Sequence, residues 1–302
     1  MAQFKEYNNG NYAGFVVIEI EQIPVSELLD ADPEKASAMN RKVFHQMLTV
    51  FQKRGIYGKT SIELLFAGVP ADEQIVRSRV RIFLILREIG NDPAVIRSRL
   101  DSLSDVFCTE LENQLFTIRL LDDEQELDSF FNVLGSIGAA KRISVAKNDR
   151  VCFVPILNGE PLYYLDIVEP GETSAQERIT NAIAGYEHCA VSIQLIPTEY
   201  RSEEVTMISH ISSVLSAIEG EMRYRQGMQL DPSLQAVSES YRAFMENETE
   251  PAFYANILIY ASGEEGYDLA NKVIHTVEED KVRANALGFS DVPSVSAPHE
   301  NF

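Results

Sequence analysis

Four kinds of residue in this sequence could do chemistry: a Gly-Lys-Thr triplet, five histidines, paired carboxylates and a concentration of arginines. Gly58, Lys59 and Thr60 match the last three positions of the phosphate-binding loop G-x-x-x-x-G-K-[ST], in which backbone amides cradle phosphate and the lysine reaches it. The first glycine of that motif would stand at position 53, which is Lys53. Order argues against it as well. A P-loop runs from strand to helix so that a helix N-terminus meets the phosphate, whereas here a helical pattern comes before and a strand pattern after. The triplet therefore reads as a helix-to-strand turn.

The histidines are His45, His188, His210, His275 and His299, with no H-E-x-x-H or other metal-pair spacing. LGSIG at 134–138 lacks the G-x-S-x-G spacing of a serine nucleophile elbow. Asp122 with Asp123, and the acids at 278–280, fall at predicted element ends, where carboxylates are usually solvated. Glu203 and Glu204 fit the start of a helix, where the dipole favours negative charge. Cys108, Cys152 and Cys189 are odd in number and lack C-x-x-C spacing, so they suit neither a disulfide framework nor zinc and point to a reducing cytoplasm. The expectation is a chain with no catalytic residues, no cofactor and no metal.

The arginines are the feature with most to say. Arg77, Arg79 and Arg81 recur at period two, so a strand there puts three guanidinium groups on one face, with Arg87, Arg97 and Arg99 close behind. Such a group could hold phosphate, nucleic acid or an acidic partner surface, or could simply blunt an exposed sheet against aggregation. Arg77, Arg79 and Arg81, together with Arg223 and Arg225 further on, are the candidate partner contacts.

Charge sharpens this. The 302 residues carry 26 Lys+Arg against 46 Asp+Glu, a net −20, and the halves differ: residues 1–150 hold 18 basic and 22 acidic residues, residues 151–302 hold 8 and 24. The second half should repel nucleic acid and anionic membranes. No apolar run reaches the roughly 18 to 20 residues that span a bilayer, and MAQFKEYNNGNYAG has neither the basic region nor the apolar stretch of a signal peptide. A cytoplasmic protein is expected, reaching the inner membrane only through partners.

The elements that must position these residues follow from periodicity. GFVVIEIEQIP (14–24) reads as a strand; Asp32 and Pro33 then start a helix with Met39, Val43, Met47, Val50 and Phe51 at helical spacing, stopped by Gly55. SIELLFAGVP and VRSRVRIFLILREIG (76–90) read as strands; Asn91-Asp92-Pro93 opens a helix through Ile96, Leu100, Leu103 and Phe107; QLFTIRLL closes the set. That βαββαβ order predicts a ferredoxin-like α+β unit over 12–122. It returns over 159–290: strand PLYYLDIVEP (161–170), helix 174–187, strand 189–200, strand FYANILIYASG (253–263), a helix after it and a short strand near 286–289. A helical hairpin, 202–248, is inserted between the second and third strands of that unit. Residues 123–158 read as a structured connector and 291–302 as a disordered tail.

Two folds of this order invite comparison with RNA-binding RRM domains, which stack bases on sheet aromatics. Tyr254 and Tyr260 share one face of FYANILIY, but the Lys/Arg-Gly-aromatic signature is missing, so a single-stranded nucleic-acid module is the alternative reading. An acylphosphatase-like enzyme is weaker still, since no arginine-bearing phosphate loop follows the first strand of either unit.

Together, SIELLFAGVP, RVRIFLILREIGNDPAVIRSRL, CAVSIQLIPTEY with its helical insert, and FYANILIYASG resemble the N-terminal, non-catalytic region of HerA/FtsK-superfamily ATPases, especially the conjugation-type ATPases and their HerA-like relatives, over residues 12–290. In those proteins the region precedes a RecA-like motor, helps assemble hexamers and docks partners at the membrane or on DNA. This sequence carries no Walker A, Walker B or assignable arginine finger. The resemblance implies an assembly role beside a P-loop motor, or self-association, in DNA translocation, conjugation (type IV secretion) or defence. A separately encoded subunit, a fragment of a longer gene and a broken gene all fit.

Overall fold

A computed structural model of the chain describes residues 2–7, 10–24, 32–56, 58–68, 80–123, 125–130, 141–147, 151–153, 161–163, 165, 175–186, 188–226, 232–246, 248, 252–261, 263–277 and 287–292. β1 (Gln3–Tyr7) and β2 (Asn11–Gln22) pair antiparallel, and α1 (Pro33–Arg54) follows. The Asp32 carboxylate accepts the Lys35 amide at 2.9 Å, Pro33 sits in the first turn, and the Gly55 amide closes the helix on the Phe51 carbonyl. Val43, Met47 and Phe51 are buried, while Met39 faces mostly outward. β3 (Thr60–Gly68), β4 (Val80–Gly90), α2 (Pro93–Asn113) and β5 (Thr117–Leu121) complete the first half, with Asp92 capping α2 through the Ala94 and Val95 amides.

The second half runs β6 (Lys141–Lys147), β7 (Val151–Phe153), β8 (Pro161–Tyr163), α3 (Ala175–Ile183), β9 (Cys189–Thr198), α4 (Ser202–Gln226), α5 (Pro232–Glu246), β10 (Ala252–Ala261), α6 (Gly263–Val277) and β11 (Leu287–Val292). One strand differs from the expectation. Among the described residues of PLYYLDIVEP, Pro161–Tyr163 are extended, and they pair with β7 apart from the main sheet. The place beside β10 belongs to β6, inside the stretch read as a connector, because Ile143 and Val145 supply the buried alternation that the helices cover. Of residues 291–302, Asp291 and Val292 belong to β11, and 293–302 lie outside the described residues.

The architecture is α+β, built on one antiparallel sheet. Its order is β1-β2-β4-β3-β9-β10-β6-β11, with β5 on the edge of β2 beyond β1. Within each half the strands run fourth, first, third, second: β5-β2-β4-β3 and β11-β6-β10-β9. The halves join where β3 pairs with β9, Leu64 opposite Ile193 and Phe66 opposite Val191. α1, α2, α3 and α6 cover one face with a continuous core that includes Ile18, Phe66, Leu84, Leu100, Val191 and Ile259. The other face has its own cluster of Val17, Leu65, Phe83, Ile85 and Leu258, capped at one end by Leu127 and Phe130 from a helical stretch at 125–130; Phe130 meets Phe83 edge-on at 5.0 Å. None of the described helices is long and apolar enough to cross a membrane.

Candidate docking site

The arginines expected to meet a partner divide sharply once placed. Arg77 and Arg79 lie outside the described residues. Arg81 is only 19% exposed, and its Nε donates to Glu19 Oε1 at 2.7 Å. The same buried carboxylate takes the Arg119 guanidinium, which also faces Glu21 at 3.2 Å and Glu126 at 3.4 Å. Burial by itself would raise the Glu19 pKa; the hydrogen bonds from Arg81 and Arg119, and their charges, outweigh it and hold the carboxyl below its usual range. Arg81 also lies 5.0 Å over the Phe83 ring. Arg87 pairs with buried Glu63, to which the Ser192 hydroxyl donates from the other half. Arg99 reaches Glu88 at 3.0 Å and Arg97 lies over the Phe4 ring. Arg81 and Arg87, the described arginines of the basic stretch on this strand face, thus pair with carboxylates of the fold itself. Arg119, the hub of this network, escaped the sequence reading.

The other sequence candidates take structural places. Gly58 adopts φ of +70°, and the Thr60 hydroxyl accepts the Ile56 amide at 2.8 Å, so Gly-Lys-Thr forms the turn between the C-terminus of α1 and β3. The helix end nearest the triplet is the negative one, unsuited to phosphate. His45, His210 and His275 lie on α1, α4 and α6, His188 occupies the turn before β9 with φ of 55°, and His299 is outside the described residues. Among the described residues no group of three or more His, Cys, Asp or Glu could hold a metal. Burial, then nearby Glu112 and Asp105, push the Cys108 thiol up to about 11; burial does the same to Cys189, so both stay protonated and weakly nucleophilic at neutral pH.

The hairpin is different in kind. α4 and α5 pack on each other through Leu215, Ile218, Leu234, Val237 and Tyr241, a core separate from both sheet clusters. Leu162 and Leu165 join that core, and the Leu165 amide donates to the Ser240 hydroxyl at 3.1 Å. At the base, Glu204 accepts the Arg201 amide at 3.0 Å and the Tyr200 ring meets Phe244 edge-on at 4.7 Å. At the far end, the last turn of α4 carries Arg223, Tyr224 and Arg225, and Tyr224 is 92% exposed. Beside the base, Tyr254 on β10 stands opposite Ile196 on β9 and is 70% exposed. Its neighbour Phe253 points to the side of α1, where it stacks on Phe51, so Tyr254 stands on the opposite face of the sheet.

No protein-family model and no curated protein matches the chain. The site must be argued from its own geometry.

Proposed function

We propose that this chain is a non-catalytic assembly and docking module that partners a HerA-like P-loop motor in DNA translocation, conjugation or defence, with the α4–α5 hairpin as its docking element. The observation that carries the reading is the hairpin's independence. It has its own apolar core and ends in an arginine-flanked tyrosine that the fold leaves in solvent. Tyrosine and arginine are the residue types that dominate interface energetics. The motor as partner rests on the resemblance of residues 12–290 to the region preceding such motors.

On the same reading, the two halves are copies of one ferredoxin-like unit, the second enlarged by the hairpin. The repeated strand order and the position of the insert between β9 and β10 support this. A cytoplasmic setting goes with it.

The test is to mix the purified chain with the HerA-type ATPase of its source organism. Co-elution and a changed ATP turnover are expected; if neither occurs, the reading fails. Tyr254 gives the sheet-face nucleic-acid alternative its one support. Against it stand the second half's acidity and the neutralised arginines around Glu19 and Glu63. Salt-sensitive binding of single-stranded oligonucleotide to the chain would favour that alternative instead.

A further inference from the structure

Unspent positive charge lies on the first helix. α1 and the turn after it, residues 33–60, hold six lysines and arginines against one acid, Glu34, in a chain with 46 acids and 26 basic residues. Lys35 is held by Asp32 at 2.9 Å, as the sheet arginines are held by Glu19 and Glu63. Lys42, Lys53, Arg54 and Lys59 are exposed, and none of them forms an ion pair with a described residue. Lys42, Gln46, Thr49 and Lys53 recur at helical spacing, so they line one stripe, away from buried Val43, Met47 and Phe51. Arg54 and Lys59 carry the positive surface past the helix end. The helix dipole favours Lys53 and Arg54 there, but it accounts for neither Lys42, three turns earlier, nor Lys59.

What such a ridge can hold follows from what it carries besides charge. Protein interfaces are depleted in lysine and rest on aromatic and apolar anchors, whereas among the described residues of α1 the large apolar side chain left exposed is Met39 alone. A helix lying on a membrane buries its apolar face in lipid, but that face of α1 is already in the core. Single-stranded nucleic acid is held on aromatic platforms, and Phe44 is half-buried against Phe116 while Phe51 is wholly buried. Lysine and arginine with threonine and glutamine between them are the residue types that contact phosphate without reading sequence. We infer that the outer face of α1 binds the phosphate backbone of double-stranded DNA. Lys42 and Lys53 stand about 17 Å apart along the helix, a length over which a duplex presents about ten phosphate charges, so the contact needs no particular register. The acidic second half repels the same polyanion and confines it to the α1 side. This surface is distinct from both the hairpin and the sheet face of Tyr254. The inference rests on the DNA-motor reading only for the source of the duplex, and it is measured on the pure chain, so its failure and the failure of motor docking are separate results.

The experiment is fluorescence anisotropy of a labelled duplex of arbitrary sequence, titrated with the chain between about 50 and 200 mM salt. Binding in the micromolar range at the low end is expected, with log K falling against log salt at a slope of about −3 to −4 for four neutralised phosphates. A single strand of equal length should bind more weakly. Two variants change exposed positions only, Lys42→Gln with Lys53→Gln and Arg54→Gln with Lys59→Gln, and circular dichroism checks that each stays folded. Each should weaken binding by about tenfold or more at low salt and reduce the slope by about 2. Tyr254→Ser should leave duplex binding unchanged. Absence of duplex binding at low salt overturns the inference, as does binding that both α1 variants retain. Tighter binding of the single strand, or loss of binding in Tyr254→Ser, moves the nucleic acid to the sheet face and overturns it too. Phosphatidylserine vesicles and polyglutamate are titrated alongside, and capture of either with the duplex left free would assign the ridge to a membrane or to an acidic protein instead.

Discussion

The sheet and the end of the hairpin treat their side chains in opposite ways. On the sheet face opposite α1, α2, α3 and α6, Arg81, Arg87 and Arg119 are drawn onto Glu19 and Glu63, so their charge is spent inside the fold. At the end of α4, Arg223 and Arg225 flank a tyrosine that is almost wholly solvated. A buried ion pair is costly to assemble and costly to break from one side, whereas an exposed one is worth little in isolation. The sheet arginines should therefore report on stability and the hairpin end on association.

The hardest blow to that contrast is Glu19→Gln. It keeps the shape but leaves two guanidinium groups facing a neutral amide, and Arg81 has little solvent to turn to. Breaking one side of a buried pair costs about 3–5 kcal/mol, trimmed to about 2–4 here because Arg119 keeps Glu21, Glu126 and some solvent. Urea denaturation of both proteins measures it. The same substitution should flatten the acid limb of stability. Glu19 has a lowered pKa in the folded state, so its contribution is fully present above the unfolded value of about 4.3 and is lost as pH falls through the lower, folded value. Thermal melts from pH 7 down to pH 3 should lose less stability in Glu19→Gln than in the natural chain.

Why the sequence shows Arg81 only as a candidate partner contact, and not its partners within the fold, is instructive. Its period-two spacing is a local signal and correctly puts it on one strand face, but its partner Glu19 is 62 positions away and Arg119 approaches that carboxylate from 100 positions off. Nothing local reveals such pairings. The elements with local signals were legible: Asp32-Pro33 and Gly55 bracket α1, and Asp92-Pro93 opens α2. PLYYLDIVEP shows the limit from the other side. It has the composition of a strand, yet KRISVAK takes the place beside β10, because strand preference is settled by cross-strand neighbours and by the helices that cover them. The proposed docking element was half legible: Arg223 and Arg225 stood out by type, whereas the exposure of Tyr224, and of Tyr254 opposite Ile196, depends on packing and on strand register.

A glycine in each region sharpens the comparison further. At Gly14 on β2 an added methyl would stand 2.6 Å from Ile96 Cγ2 and 2.9 Å from the Phe4 ring, so the side chains packed there must give way to admit it. Gly14→Ala should cost about 1–3 kcal/mol, the usual penalty of overpacking a filled core. At Gly220 on α4 none of the described residues lies within 4 Å of the same methyl. There the substitution meets only helix propensity, and Gly220→Ala should stabilise by about 0.5–1 kcal/mol. Paired denaturation curves test the opposite signs; a loss at Gly220 would mean that the hairpin surface there is already occupied.

The smallest expected change in stability is at the most exposed aromatic ring among the described residues. Tyr224 gives up almost none of its surface to the fold, so Tyr224→Ser should leave the unfolding midpoint within about 0.5 kcal/mol of the natural chain. Tyr241 sits buried in the hairpin core one helix away, and truncating it to alanine should loosen that core at a cost of about 2–4 kcal/mol. The two tyrosines belong to the same pair of helices, so any effect of Tyr224→Ser on association without Tyr241-like destabilisation assigns that effect to surface contact. If Tyr224→Ser destabilised the hairpin as much as the core substitution does, the ring would be holding the fold together, and the division of labour between sheet and hairpin would collapse.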